Sequence, residues 1–298
     1  VCSEGDFIRI VEWDRTRTRE WDADKFDCFT PDTPILCRID GSVGIEEIQD
    51  LHRLQPKAIE VLSHSGAWTT VNAIWPRPTE KPLVRWVEGG AISATVDHRV
   101  KSDGSYIEIG ALAEGGHIDR RGIGASLPDT EVLDKELAWA LGLFFSDGHC
   151  GGGAWDIANY HRDYLVRAKA AFEREHGFEF QIVSFASEQA GVLRGGIKPR
   201  SSMYHLRPAK KPRFIRDASR QSFVAAYREA FYSGSGNKRV PGDILNASND
   251  AKDAFLDGEF AGDGSKQWSH RPTKRLTVHG RIGLLGLIAL VEAIGAEY

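Results

Sequence analysis

A cysteine, a histidine and two acidic residues are where this sequence could do chemistry. Cys28 opens the stretch Cys28-Phe-Thr-Pro-Asp-Thr-Pro-Ile-Leu36, after a polar segment and before an apolar one. A thiol becomes a nucleophile once deprotonated and is stronger than serine near neutral pH. Thr95-Val-Asp-His98 supplies suitable company: an imidazole can protonate a departing amide nitrogen, and a neighbouring hydroxyl can orient the peptide. Farther on, two apolar stretches each end in Asp-Gly, at Asp147-Gly148 and Asp263-Gly264. Taken singly, each reads as the turn that closes a helix. Taken together, on matching helices, they bring two carboxylates side by side, which is unfavourable without a cation between them. Such a pair suits Mg2+, which takes oxygen ligands and supports in-line displacement at a phosphate by water.

The elements that must position these groups change character along the chain. Residues 1–27 form a separate piece, with a strand at Phe7–Val11 followed by a charged run. Residues 28–127 read as β: short β-branched runs at Ile35–Ile39, Ile59–Leu62, Thr69–Ile74, Leu83–Val87 and Ala91–Thr95 are separated by turn residues. Val43–Ile48 is expected to be a short amphipathic turn of helix. From residue 128 the period changes. Leu133, Leu137, Leu141 and Phe144 share one helical face, with Asp129 and Thr130 as expected N-terminal caps. A second such helix is expected from Ala251 to Gly262. Between them, strands are expected at Ala154–Tyr160, Phe178–Phe185 and Met203–Leu206, and helices at Arg162–His176 and Arg220–Phe231. A strand at Arg275–Val278 and a helix at Leu284–Ile294 repeat the pattern. Gly142 and Gly258 sit mid-helix, where glycine costs ~1 kcal/mol relative to alanine. That cost makes sense where another backbone approaches closely.

Composition bounds the classes. The chain has 298 residues and a net charge of -4, so a nucleic-acid role is not legible in the total. Locally it is: Arg194, Lys198, Arg200, Arg207, Lys210, Lys211, Arg213 and Arg216 form a basic strip suited to phosphate contacts. No apolar run reaches the ~20 residues that span a bilayer, so no membrane role is expected. The cysteines Cys2, Cys28, Cys37 and Cys150 form no Cys-x-x-Cys pair, which argues against structural zinc. Sparse, unpaired cysteine fits a reducing, cytoplasmic setting.

Two resemblances follow from these motifs. Leu141-Gly-Leu-Phe-Phe-Ser-Asp-Gly148 and Leu256-Asp-Gly-Glu-Phe-Ala-Gly-Asp-Gly264 resemble the paired motifs of LAGLIDADG homing endonucleases. The resemblance implies αββαββα repeats, Mg2+ at Asp147 and Asp263, long double-stranded DNA sites, and Lys238, in Lys238-Arg-Val-Pro241, as a basic active-site residue. Cys28 through Leu36 and Thr95-Val-Asp-His98 resemble the N-terminal splicing region of inteins, the all-β, horseshoe-shaped Hint fold. That implies an acyl shift of the Asp27 carbonyl to Cys28, assisted by Thr95 and His98. The expected organisation is therefore α+β: residues 1–27 as the end of a host protein, the N-extein; 28–127 as the splicing region; 128–298 as the endonuclease, monomeric and with its second repeat incomplete. Inteins finish with His-Asn and a Cys, Ser or Thr. None occurs here, so this chain is expected to start splicing without completing it, and to cleave DNA weakly. A LAGLIDADG-derived DNA-binding regulator is the alternative.

Overall fold

The computed structural model describes residues 6–10, 28–55, 57–63, 65–78, 80–86, 92–119, 122–185, 203–209, 218–266 and 274–296. In chain order come β1 (Asp6–Ile10), β2 (Pro34–Ile39), β3 (Ser42–Glu47), α1 (Ile48–Leu54), β4 (Ile59–Leu62), β5 (Trp68–Thr70), β6 (Ile74–Pro78), β7 (Leu83–Trp86), β8 (Ile92–Thr95), β9 (Arg99–Ser102) and β10 (Ser105–Glu108). Then follow α2 (Lys135–Asp147), β11 (Gly148–Gly151), β12 (Ala154–Asn159), α3 (Arg162–His176), β13 (Phe180–Phe185), β14 (Met203–Pro208), α4 (Ala218–Phe231), α5 (Gly242–Asn246), α6 (Asn249–Asp263), β15 (Ser265–Lys266), β16 (Lys274–Arg275) and α7 (Arg281–Ala293). The architecture is α+β, with antiparallel sheets. No helix among the described residues is long and apolar enough to cross a membrane. The chain divides into two compact units. One gathers Val1–Pro128, Ser233–Asn246 and His279–Tyr298; the other gathers Asp129–Tyr232 and Ala247–Val278.

The first unit is built on the four-stranded order β3-β2-β4-β5. Asp40 and Gly41 both adopt positive φ between β2 and β3, the backbone of a two-residue hairpin whose twist matches its strands. Here the structure corrects the sequence reading: Val43–Glu47 is a strand, and the helix starts only at Ile48. Val43, Ile45 and Glu47 alternate inward, a period of two that five residues are too few to distinguish from a helical turn. The expected strand at Thr69–Ile74 is likewise two strands, β5 and β6. Cys37, Leu51 and Ile59 form the buried core, with Ile35, Ile39 and Val61 packed against it. The smaller pairs are β1 with β6, β7 with β8, and β9 with β10.

Distant segments complete this unit through buried polar contacts. The Asn246 side chain accepts from the Val43 N–H at 3.0 Å and donates to the Val43 carbonyl at 2.8 Å. Ser233 and Ser235 donate to Glu47, and the Gly234 N–H donates to Asp50. Arg239 pairs with Glu46. From α7, Glu292 accepts from the N–H groups of Ile123 and Gly124, the donors that a short helical turn leaves open at its start.

The second unit runs α2-β11-β12-α3-β13-β14-α4 and then begins again with α6, β15 and β16. The expected strand Arg275–Val278 is confined to Lys274–Arg275. Its sheet has the antiparallel order β11-β12-β14-β13. An aromatic core of Phe144, Trp155, Phe172 and Tyr227 lies between sheet and helices, with Phe144 stacked on Trp155 at 5.1 Å. Helix α2 is capped by Asp134, which accepts from Leu137 N–H at 2.9 Å, and not by the Asp129-Thr130 pair. Asp129 instead accepts from the Asn249 N–H, at the start of α6.

Candidate active sites

Two sites emerge, one in each unit. In the first unit, Cys28 is 3% exposed and lies in an antiparallel pairing with the end of β8. The Thr95 N–H donates to the Cys28 carbonyl at 3.0 Å, and the Cys28 N–H donates to the Thr95 hydroxyl at 3.2 Å. Phe29 bridges to Ala94, and the Thr30 N–H donates to the Ser93 carbonyl. The His98 ring packs against Phe29, its centroid 4.1 Å away, and the His98 N–H closes a turn onto the Thr95 carbonyl. The tertiary structure thus gathers Cys28, Thr95 and His98, which the sequence separates by some seventy positions. The hydroxyl engages the nitrogen that must depart if the peptide before Cys28 is to break.

Asp97, between Thr95 and His98, was given no role by the sequence. It forms an ion pair with Lys81. Burial works to raise its pKa, but Lys81 and the nearby Thr95 hydroxyl outweigh that and hold the carboxylate below its usual range. A charged Asp97 thus sits beside the hydroxyl that meets Cys28. Cys37 is no competing nucleophile, because burial pushes its thiol up to about 12. Cys150 is buried and donates to the Val224 carbonyl.

In the second unit, α2 and α6 cross with their backbones in contact. A Cβ on Gly142 would lie 2.0 Å from the Phe255 carbonyl oxygen, and one on Gly258 would lie 1.9 Å from that of Trp139. Only glycine permits this approach. The terminal glycines Gly148 and Gly264 have extended backbones rather than the left-handed conformation of an ordinary helix cap. They too serve close packing, since a Cβ on either would strike the carbonyl four residues back. The crossing delivers Asp147 and Asp263 to the wall of one pocket of about 860 Å3. The Asp147 carboxylate lies 3.0 Å from where a Cβ on Gly262 would stand, beside Asp263. Asn159 donates to Asp147 at 2.5 Å, and His161, Tyr164 and Arg167 line the pocket beyond.

Glu259, one turn before Asp263, deepens this acidic focus. It is fully buried, with no side-chain hydrogen-bond partner for either carboxylate oxygen among the described residues. Burial first, then the charge of Asp263 and more weakly that of Asp147, push its pKa up to about 8, against a smaller opposing pull from the Thr277 backbone. The signal in sequence was a charged residue on an otherwise buried helix face. The two carboxylates offer the hard oxygen donors that suit Mg2+; the Asn159 amide is already engaged, donating to Asp147 and accepting from the His161 N–H. No cluster of three metal-binding side chains occurs among the described residues, so these residues would leave much of a cation's shell to water and phosphate.

The remaining residues singled out in the sequence fall elsewhere. Lys238 is half-buried and belongs to the first unit, not to the unit holding the two acids. Arg207, on β14, donates to Asp156 at 2.8 Å, and His205 beside it contacts the same carboxylate. Arg194, Lys198, Arg200, Lys210, Lys211, Arg213 and Arg216 lie outside the described residues, as does Asp27.

No family model matches the chain. Among known proteins, it is similar to one of Acanthamoeba polyphaga mimivirus, named as a DNA polymerase, with 25% identity over 303 residues. The match takes in 90% of this chain and 16% of that protein, so the chain spans a small fraction of the relative's length.

Proposed function

We propose that this chain carries an intein-type self-processing junction at Cys28 and, in its second unit, a LAGLIDADG-type, metal-dependent DNA endonuclease. The observation that carries the first half is the pairing of Cys28 with Thr95, with His98 packed on Phe29. In the proposed step the Cys28 thiolate attacks the carbonyl carbon of Asp27. A carbon–sulfur bond forms, the Asp27–Cys28 carbon–nitrogen bond breaks, and the freed α-amine of Cys28 takes up a proton with His98 as the general acid. Thr95 holds the leaving nitrogen in place. The product is a thioester between residues 1–27 and the rest of the chain.

The second half is supported by the αββαββα order of the second unit and by glycine-mediated crossing of two helices that end in Asp147 and Asp263. Bound there, Mg2+ would supply charge neutralisation and an activated water for phosphodiester hydrolysis. Asp147 and Asp263 would hold the ion, Asn159 orients Asp147, and Arg167, held in a bidentate ion pair by Glu136, lines the pocket wall. Under this reading the host would be a DNA-polymerase-like protein, the name that the mimivirus relative carries. A second reading, favoured by that relative's name alone, is a segment of a polymerase proper.

Two measurements separate these readings. Incubating the 298-residue protein with a small thiol should release residues 1–27 as a thioester, seen by mass spectrometry, and Cys28→Ala should abolish release. Thiol-dependent cleavage that persists in Cys28→Ala, or none in the wild-type chain, overturns the junction. For the second unit, calorimetric Mg2+ binding should vanish in Asp147→Asn; unchanged binding overturns the metal site.

A further inference from the structure

Arg281 opens α7, 249 residues beyond Asp32 in the sequence, yet it reaches the Cys28 site within the same unit. One guanidinium nitrogen donates to the Ser93 hydroxyl at 3.3 Å. The other donates to the Asp32 carbonyl at 3.3 Å and pairs with the Asp32 carboxylate. The Arg281 side chain is only 16% exposed. Burial tends to raise the Asp32 pKa, but Arg281 and Thr30 outweigh it and hold the carboxylate below its usual range. Asp32 therefore stays charged at neutral pH, and the pair is intact.

The two anchor points lie on the two segments whose pairing builds the site. Ser93 stands on β8, two residues before Thr95. Asp32 follows the Cys28–Thr30 stretch, whose turn closes through Thr33 N–H to the Thr30 carbonyl. The pairing between them is short: one bridge, at Phe29 and Ala94, with the flanking hydrogen bonds. A slip of one residue would turn the Thr95 side chain to the opposite face. The planar fork of arginine suits it to spanning two such acceptors, where an ammonium would hold one.

We propose that Arg281 is a positioning residue for the acyl shift at Cys28, clamping its segment and β8 in the register that places the Cys28 nitrogen on the Thr95 hydroxyl. This rests on the junction reading above. It also means that α7, which sequence order assigned to the endonuclease, serves the self-processing site.

The test measures thiol-induced cleavage at Asp27–Cys28 in the full chain. Arg281→Gln should slow it about 10- to 100-fold, the scale on which ångström misplacement acts. Asp32→Asn should slow it similarly, and the double variant should be no slower than the slower single. Arg281→Lys should recover part of the rate, and added guanidinium should rescue Arg281→Gly. A wild-type rate in folded Arg281→Gln, checked by near-ultraviolet circular dichroism, overturns the proposal. If that variant does not fold, wild-type rates in both Arg281→Lys and Asp32→Asn overturn it instead. Absence of thiol cleavage in the wild-type chain is a different failure, which refutes the junction itself.

Discussion

Glu259 shows how far a single residue departs from its ordinary behaviour. Unfolded, it titrates near 4.5; folded, near 8. Between those values the unfolded chain binds fewer protons than the native one, so stability falls as pH rises from about 4.5 to about 8. Each tenfold difference in proton affinity between the two states is worth ~1.4 kcal/mol, so the loss is roughly 3–5 kcal/mol. Glu259→Gln should abolish this slope, so the variant's melting-temperature advantage should be larger at pH 8 than at pH 5. Parallel melting curves against pH for both proteins would refute the assignment. Residue types were legible here where the chemistry is local to a motif: Cys28, Thr95, His98, Asp147 and Asp263 stand out by type and spacing. Lys81, Asp97 and Arg281 did not, because lysine, aspartate and arginine are common and gain meaning only from their partners.

At the scale of elements, the α2–α6 crossing decides the geometry of the acidic pair. Alanine at Gly142 or Gly258 would set a methyl about 2 Å from a carbonyl oxygen of the opposite helix. That approach forces the helices apart. Each substitution should cost about 1–3 kcal/mol or more, as overpacking does, and should weaken Mg2+ binding at the proposed site, which neither residue touches. Urea denaturation and calorimetry check the two effects; a Gly142→Ala protein with unchanged stability would refute the close packing. The elements were mostly legible, because long amphipathic helices carry many periods of signal. Short ones were not. Val43–Ile48 reads in sequence as a helical turn but is a strand as far as Glu47, and α2 is capped by Asp134 rather than by the Asp129-Thr130 pair.

For the whole molecule, unit membership does not follow chain order. The sequence boundary at residues 127/128 lies one residue from the end of the first unit's opening segment at Pro128. The return of Ser233–Asn246 and His279–Tyr298 to that unit had no local signature. Asn246→Ala should test the stitching. It strands the buried N–H and carbonyl of Val43, a loss of about 1–3 kcal/mol, so hydrogen exchange at the Val43 amide should speed up by about tenfold or more. Unchanged exchange there would mean that the segment adds nothing to the unit.

Residue type and spacing were enough to reveal the change from β to α+β and the two glycine-bearing helices, and to single out Cys28, Thr95, His98, Asp147 and Asp263 as candidates. These are written in periods of two or 3.6 and in side-chain identity, which are local properties. It took the folded chain to establish that Cys28 meets Thr95 across a strand pairing, that Glu259 is buried behind two acids, and that Arg281 and Asn246 belong to the first unit. Each of those depends on contacts between residues far apart in the chain. Such contacts are selected by the burial and hydrogen bonding of the folded whole, which no short window of sequence contains.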